Sequence, residues 1–541
     1  MTQPPGWQPP QEGFGAPYEP SPTAYGQPPQ GGYAYPPQGG DGYPQQQQHG
    51  SGPAPGAPGG PGRPKAFGGR PALLIGAVLA VLLIAGGGVR LATGDGDGND
   101  DKPVAGESRS ADPGQPSGSP SAAAAGAGTG PTAAELNEGR KPGEGKVLWL
   151  RNNDVDLTSS GAYVHGPWLF GDMIAKGMWR TVSGYAMADG KEKWSLRLPT
   201  DICAAPTLPT TEGKIVIGVL ESTAEDAECS VLQMIDLRTG KQGWKKTVPK
   251  VHKVDIQLDV AMSINGGTVT YGRAAGTNAY RVDDGKEVFA QQPGNCQPVA
   301  FTSGPRVIAS AGCPFTADGQ PNMQIQEVDP ATGRAKWTAK ISTGWTVDKV
   351  FSVSPLVLSL RKVGEFRVVA LNDDGTLRSR IDSGAEEFSM DCAMDDSNKN
   401  LDGCGGVAAD ADTFYRSTGA ESRGTGLANK VIAFDLDTGK PKWKADSPPG
   451  QVMEPMRMEG GKVLVHVEAW KKAGAIATLS ADGSDLRTVL RHPLASAGTE
   501  RSMMSPKAAY VDGRTVLTNP LVVSDNDEDE AKIKTVMVFG E

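Results

Sequence analysis

The chain contains 541 residues, of which 38% are hydrophobic and 21% are charged, and its formal net charge is -9. An acidic balance without a basic stripe argues against nucleic acid as a partner. The composition is also uneven along the chain, so only part of the length is available for a packed core.

Residues 1–70 are dominated by Pro, Gly, Gln, Tyr and Ala. Aliphatic side chains are nearly absent from most of this segment, so burial cannot offset the entropy lost when the backbone is ordered. We predict a disordered cytoplasmic tail. Its tyrosines and its two PxxP spacings leave a second interpretation open, in which parts of the tail are binding elements.

Residues 71–90 contain the apolar run PALLIGAVLAVLLIAGGGV, which has no charge between Arg70 and Arg90. As a helix the run would be about 28 Å long, which matches the hydrocarbon core of a bilayer. A cleaved signal peptide would stand at the extreme N-terminus, so we predict an uncleaved transmembrane helix. Arg63 and Lys65 precede the run and acidic residues follow it, so the positive-inside rule predicts a cytoplasmic N-terminus.

Small residues recur at every fourth position of this predicted helix, at Ala72, Gly76 and Ala80. The spacing allows two helices to approach closely, although it also arises by chance where Ala and Gly are abundant. A weak homo-oligomer through the helix therefore stays one of two interpretations. Residues 91–144 are rich in Gly, Ser, Pro, Ala and Asp without apolar periodicity, which predicts a flexible extracellular linker.

Residues 145–541 repeat a pattern of strand, turn and strand, as in VIAFDLDTGKPKW. The residues before the turn have the apolar pattern of half-buried or central strands, and Asp-Gly or Thr-Gly-Lys accepts the positive φ of a tight hairpin. The copies follow one another at intervals of about 42 to 64 residues, the period of four-stranded propeller blades. The turn glycines are Gly190, Gly240, Gly285, Gly333, Gly375, Gly439 and Gly483.

Each end of this region supplies half a copy. GEGKVLWLR has only the second half of the hairpin, and KIKTVMVFGE has only the first half. We predict that residues 147–150 pair with residues 535–539 and close an all-β, eight-bladed β-propeller, because closure removes the edge strands. Seven blades are the alternative, if a weak copy at Gly375 or Gly483 does not form a blade.

All six cysteines lie in the predicted propeller. An even number that is confined to the exported part indicates disulfides, and no histidine stands near enough in sequence to suggest zinc. Six cysteines allow fifteen connectivities. The spacing favours three local pairs: Cys203 with Cys229, Cys296 with Cys313, and Cys392 with Cys404.

AFDLDTGKPKW and its copies resemble the tryptophan-docking repeat of PQQ-binding-like, or quinoprotein alcohol dehydrogenase-like, β-propellers. The resemblance covers about residues 145–541 and implies that a repeated tryptophan packs between adjacent blades. The disordered tail, single anchor and exported propeller are similar to membrane-anchored proteins of high-GC actinobacteria. The copies that carry the tryptophan have Trp149, Trp194, Trp244, Trp337 and Trp443.

This family contains dehydrogenases, assembly scaffolds and sensor domains, so the resemblance implies a fold and leaves the function open. A dehydrogenase of the family is expected to show a vicinal Cys-Cys disulfide, a calcium or lanthanide site and a catalytic Asp, and the sequence has no Cys-Cys pair. It also lacks the HExxH, GxSxG and phosphate-loop motifs. We predict a non-enzymatic protein without catalytic residues, cofactor or bound metal, with a quinoprotein-type oxidoreductase as the alternative.

Three further features are interpreted as structural. His466 in KVLVHVEAW is predicted to be a hydrogen-bonded histidine within a strand. The acidic stretches 391–404 and 524–530 are predicted to be solvated loops that do not bind calcium. The first of them stands in the longest interval between repeats, so we expect an insertion on one rim that its disulfide clips.

Together these features predict a single-pass protein of the cell membrane with an extracellular propeller. The expected function is binding at the cell envelope, as an assembly scaffold or as a sensor. The expected partner is a protein, a cell-wall fragment or a small molecule.

Overall fold

The computed structural model describes residues 130–541 apart from 159, 389–391, 393–398 and 424–425. The predicted tail, the predicted transmembrane helix and most of the predicted linker lie outside these residues. Within the described ranges, no helix is both long enough and apolar enough to cross a bilayer.

The described strands form eight sheets of four or five strands that follow one another along the chain. Strand β1 (Lys146–Asn152) belongs to the last sheet, and seven blades of four antiparallel strands come after it. The strands of blades 1 to 4 are β2 (Ala162–Phe170), β3 (Met173–Met178), β4 (Thr181–Ala186), β5 (Glu192–Arg197); β6 (Ile202–Ala204), β7 (Lys214–Val219), β8 (Val231–Asp236), β9 (Lys241–Thr247); β10 (Ala261–Asn265), β11 (Thr268–Arg273), β12 (Gly276–Arg281), β13 (Glu287–Phe289); β14 (Gln297–Phe301), β15 (Ile308–Gly312), β16 (Met323–Val328) and β17 (Ala335–Lys340).

Blades 5 to 8 complete the ring, and β24 and β25 form a separate hairpin within blade 6. The strands of these blades are β18 (Thr346–Val353), β19 (Leu356–Lys362), β20 (Glu365–Leu371), β21 (Leu377–Ile381); β22 (Val407–Ala409), β23 (Thr413–Ser417), β24 (Glu421–Arg423), β25 (Gly426–Ala428), β26 (Lys430–Asp435), β27 (Pro441–Asp446); β28 (Met453–Glu459), β29 (Lys462–Val467), β30 (Ala475–Leu479), β31 (Leu486–Arg491); β32 (Lys507–Val511), β33 (Arg514–Thr518), β34 (Leu521–Val522) and β35 (Lys534–Gly540).

The ring closes through the two ends of the propeller. Strand β1 pairs antiparallel with β35, with Val147 opposite Phe539 and Leu150 opposite Met537. Strand β34 also pairs with β2 of blade 1. The predicted eight-bladed propeller and its closing pair are confirmed, and every weak repeat is a real blade.

Short helices lie outside the sheets. Helix α1 (Ala133–Leu136) occupies residues that the sequence assigned to the linker, and Leu136 packs with Val147 in a buried cluster. A 3-10 helix (Leu494–Ser496) and α2 (Ala497–Ser502) connect blades 7 and 8. Helix α3 (Asp527–Glu530) forms in the second acidic stretch, where residues 525–529 are exposed and Glu530 is buried.

The repeated motif forms the hairpin between the third and fourth strands of a blade. All seven turn glycines have φ between 66° and 85°, a conformation that side chains with a Cβ adopt at a cost. The preceding blade also covers the glycine. An added Cβ would lie 2.6 Å from the Trp194 ring at Gly240 and 2.7 Å from the Trp244 ring at Gly285.

Four of the five repeat tryptophans donate their indole N–H to the next blade, and Trp337 donates instead to Glu327 of its own blade at 3.2 Å. Trp149 donates to the Met187 carbonyl oxygen at 2.9 Å, and Trp194 donates to the Leu237 carbonyl oxygen at 3.0 Å, each from one blade to the next. A serine makes the equivalent bond between blades 5 and 6. The Ser379 hydroxyl donates to the Leu436 carbonyl oxygen at 2.6 Å.

Without a tryptophan at this position, blades 5 and 6 meet through their backbones. Gly439 touches the carbonyl group of Arg380 so closely that an added Cβ would overlap its oxygen. The Asp382 N–H donates to the Gly439 carbonyl oxygen at 2.9 Å. The repeat copy that has Ser379 in place of tryptophan therefore marks a closer approach between blades 5 and 6.

Gly439→Ala is expected to be more destabilising than the matched substitution Gly460→Ala. The φ values are 71° and 57°, so each alanine costs about 1–2 kcal/mol for left-handed backbone. Only the methyl group at Gly439 would meet the neighbouring blade, because nothing lies within 4 Å of a Cβ at Gly460. Urea unfolding should give a lower midpoint for G439A. Equal midpoints would contradict a backbone contact between blades 5 and 6.

The six cysteines form three disulfides in the structure, and none of them is free. The pairs are the local ones that the spacing favoured. They are Cys203–Cys229, Cys296–Cys313 and Cys392–Cys404.

Candidate binding site

The first strands of the blades surround the central channel of the ring. Residues 399–406, between β21 and β22, enter this channel. Asn400 accepts a hydrogen bond from the Met262 N–H in blade 3 at 2.7 Å, and its amide donates to the Ala205 carbonyl oxygen in blade 2 at 2.9 Å. A segment that enters between blades 5 and 6 reaches both partners only by crossing the channel.

Neighbouring residues fix the same segment to further blades. The Leu401 side chain is buried, and its carbonyl oxygen accepts from the Val350 N–H in blade 5 at 2.7 Å. Asp402 accepts from the Thr207 hydroxyl at 2.8 Å and from the Ser303 N–H in blade 4 at 2.6 Å. The prediction of a loop on one rim is wrong for residues 399–404, because partners from four blades satisfy their polar groups inside the channel.

Two adjoining cavities lie in the part of the channel that the segment leaves open. The first has a volume of about 400 Å³ and is lined by His165, Asp402 and Lys507. The second has a volume of about 290 Å³ and is lined by Glu454, His466 and Lys507. Their sizes are near the lower end of the range for small-molecule sites.

Burial shifts the pKa of two groups that line these cavities. Desolvation raises the pKa of Asp402, against the hydrogen bonds from Ser303 and Thr207. Desolvation, with a smaller contribution from nearby His492, lowers the pKa of His466 to about 4. The His466 imidazole is therefore neutral at pH 7.

His466 lies in β29, and only 2% of its surface is exposed. The strand and the burial agree with the sequence prediction. The predicted hydrogen bonding does not, because neither ring nitrogen has a hydrogen-bond partner in the part of the chain that the structure describes. His466 also faces a third cavity of about 210 Å³, which Trp470 helps to line.

The channel residues do not fit the cofactor and metal of a quinoprotein dehydrogenase. Asn400 and Asp402 have suitable donor types for calcium, but their oxygens already accept hydrogen bonds from the blades. Among the described residues, no three His, Cys, Asp or Glu side chains are placed to hold a metal ion. Cys404 lines the cavity and pairs with Cys392, twelve positions away, so its disulfide is not vicinal.

A second candidate surface lies on the segment before β10. The alternate residues Val254, Ile256 and Leu258 are 71%, 49% and 57% exposed, whereas Asp255 and Gln257 between them are buried. Residues 253–254 lie in a turn and residues 258–259 in a bend, so the alternation is one of burial and not of a regular strand. The segment buries its polar side chains and exposes its apolar ones, and we call its three exposed residues the apolar row.

A buried ion pair holds the apolar row in place. The Arg273 guanidinium in β11 lies 2.7 Å from the Asp255 carboxylate, and both side chains are fully buried. Arg273 also donates to Asn278 at 3.0 Å and to the Pro249 carbonyl oxygen at 3.1 Å. The Cys229 N–H donates to the Gln257 carbonyl oxygen at 2.7 Å, which joins the segment to blade 2.

Sequence analysis did not identify the apolar row. The run VDIQLD alternates apolar and polar residues, which is typical of a strand with its apolar side in the core. The available signal was Arg273, a charged residue at the end of a strand pattern that needs an acidic partner if it is buried.

Eight four-stranded antiparallel blades, closed by a terminal strand and joined by tryptophans on turn glycines, define a PQQ-like β-propeller. The model of the family described as outer membrane protein assembly factor BamB matches residues 139–343 and 324–520. The chain belongs to this family.

Solved structures that align with this chain include a BamB protein and two alcohol dehydrogenases. BamB from Moraxella catarrhalis is 16% identical with a TM-score of 0.39, over 72% of this chain and 100% of that chain. Quinohemoprotein alcohol dehydrogenase ADHIIG from Pseudomonas putida HK5 is 12% identical with a TM-score of 0.40, over 74% of this chain and 80% of that chain. A europium-containing methanol dehydrogenase is 10% identical with a TM-score of 0.40, over 72% of this chain and 93% of that chain. Among curated proteins, no sequence matches this chain.

Proposed function

We propose that this protein is a non-enzymatic scaffold that binds a protein partner through the apolar row, at the outer face of the membrane that residues 71–90 are predicted to span. The observation that carries the proposal is the outward direction of Val254, Ile256 and Leu258 on a segment with a buried ion pair. The family match supports it, because the family is described as an assembly factor.

The apolar row has the energetic character of a docking site. Fully burying one Val, Leu or Ile side chain contributes about 1.5–3 kcal/mol, and all three residues of the row have surface left to bury. Single exposed apolar residues are common on soluble proteins, but a contiguous group marks an interaction surface. The three side chains lie within five residues of one another and are exposed, so the row suits a short apolar strip of the partner.

The surroundings of the row carry charges of both signs, and exposed Lys253 stands directly before Val254. Asp259 follows the row directly, and its side chain is 65% exposed next to Lys399. Glu225 and Asp226 are exposed on the loop that leads to Cys229. We therefore expect a partner strip that is apolar at its centre and carries charges of both signs around it, because complementary charges favour the correct partner and speed its association.

The test compares two triple variants of the full-length chain in intact cells. V254S/I256S/L258S removes the apolar row, and V363S/L377S/V489S removes three exposed apolar residues from other blades. The free energy of unfolding of both variants should stay within about 0.5 kcal/mol of the parent value, because the substitutions are on the surface. We expect cross-linking and co-purification to lose one recurrent partner with the first variant only. Retention of every partner by both variants would contradict the proposal.

A further inference from the structure

We propose that the two cavities that His466 helps to line form a binding site for a small, uncharged molecule that carries several hydroxyl groups. The site lies in the ring at blades 7 and 8, and none of its lining residues belongs to the apolar row. It would therefore act independently of the proposed protein partner.

The first argument is the hydrogen bonding that the site lacks. Buried polar groups almost always have a partner, yet neither His466 nitrogen has one in the described residues. The Trp470 indole N–H is also buried and has no partner among the residues that the structure describes, and Trp470 lines the cavity of about 210 Å³ with His466. The occupant must therefore accept hydrogen bonds from N–H groups and also donate one, because a neutral imidazole has one N–H and one lone pair.

A hydroxyl group satisfies both requirements, because it donates one hydrogen bond and accepts two. A carboxylate or a phosphate only accepts, and an ammonium group only donates. A molecule with several hydroxyl groups can therefore bond to His466 and Trp470 from one ring.

The second argument is the charge of the lining. On the channel side, Glu454 and Glu468 are balanced by Arg457 and Lys507, and His466 is neutral. The cavity next to Trp470 is lined by Glu468, Glu500 and Arg501, and the Arg501 guanidinium lies 5.0 Å from the Trp470 ring centroid. Glu500 accepts from the Ser496 hydroxyl at 2.6 Å and lies 2.7 Å from His492 Nδ1. A ligand with a net charge would meet both signs, whereas hydroxyl groups donate to carboxylates and accept from cations. The balance therefore favours an uncharged ligand.

The third argument is size. The cavities of about 290 and 210 Å³ both include His466 in their walls. One water occupies about 30 Å³, so each cavity exceeds the space of a single bridging water. A molecule with one or two rings, such as a monosaccharide or a small disaccharide, is the size class that fits.

The test uses the full-length protein in detergent with glucose, trehalose and myo-inositol as probes. Isothermal titration should detect at least one of them at concentrations up to 20 mM. The charged analogues gluconate and glucosamine should bind at least tenfold more weakly than glucose. His466→Phe should weaken binding at least tenfold, whereas His466→Gln, which keeps a donor and an acceptor, should stay within about threefold.

Trp470→Phe is the second variant. It keeps a ring next to Arg501 and removes only the N–H, so it tests the site if H466F does not fold. We expect it to weaken binding severalfold. No heat with any of the three probes would overturn the proposal and assign the cavities to water alone. The proposal would also be overturned if W470F and H466F bound the probes as tightly as the parent does. The same holds if the charged analogues bound as tightly as glucose.

Discussion

Arg273→Met is expected to lower the free energy of unfolding by about 3–5 kcal/mol, because it leaves a buried carboxylate without its partner. Arg273 donates to both Asp255 oxygens, and both side chains are fully buried. Methionine has a similar length and adds no charge. The loss therefore comes from the ion pair and from the bonds to Asn278 and Pro249.

The pH dependence of this variant follows from the pKa of Asp255. Burial alone would raise that pKa, but the hydrogen bonds from Arg273 and from the Val251 N–H hold it below its usual value. In the parent, this pair adds stability above the unfolded pKa of about 3.9, and that stability is lost as the pH falls. In R273M burial is opposed only by the Val251 hydrogen bond and by nearby His252, so the pKa of Asp255 should rise. The difference in the free energy of unfolding between R273M and the parent should be largest at pH 7 and shrink towards pH 4.

The control for R273M is the double variant D255N/R273M, which removes both buried charges. Removal of both partners is less costly than removal of one, so the double variant should recover a large part of the lost stability. Urea unfolding at pH 7 measures all three proteins. A free energy of unfolding for R273M within 1 kcal/mol of the parent value would show that the Arg273–Asp255 pair does not stabilise the segment with the apolar row.

Trp149→Ala is expected to lower the free energy of unfolding by about 3–5 kcal/mol, the range for large aromatic residues in a core. Trp149 is buried in closing strand β1, with its ring on Gly190 and 6.3 Å from the Tyr185 ring centroid. Alanine would remove the contact between blade 8 and blade 1 together with the bond to Met187. Both losses act where the ring closes.

Trp149→Phe is the matched control, because blade 3 uses Phe289 against Gly333 at the equivalent position. It keeps an aromatic ring and loses the N–H, so it should cost only about 1 kcal/mol. Guanidinium unfolding followed by circular dichroism measures both variants. Equal losses for W149F and W149A would mean that the hydrogen bond, and not the ring packing, holds the first and last blades together.

The propeller could be predicted because its signals are local. The turn glycine, the strand before it and the tryptophan after it lie within about fifteen residues, a range in which sequence pattern and backbone geometry are directly linked. The half-copies at the two ends predicted the pairing of β1 with β35, which the structure confirms. The cysteine spacings, 12 to 26 residues, likewise favoured the pairs that the structure contains.

The candidate sites depend on residues that are distant in sequence. Asn400 bonds to Ala205, 195 positions away, so a local pattern of acidic and polar residues could only suggest a solvated loop. The pattern VDIQLD alternates equally well with either side buried, and Arg273 decides the direction by pairing with Asp255. The pattern around His466 predicted a buried strand, but its hydrogen bonding depends on neighbouring strands and connections that this pattern does not specify.

The most direct test of the proposed scaffold places a photo-cross-linking amino acid at Ile256 in intact cells, with Val363 as the control position. Val363 is 95% exposed, so it reports proteins that collide with the surface without docking. The account predicts that Ile256 captures one envelope protein repeatedly and that Val363 does not. It also predicts that an excess of a peptide from the captured protein, apolar at its centre, competes with the cross-link. Equal capture at both positions, or capture of lipid alone at Ile256, would contradict a protein-binding role for the apolar row.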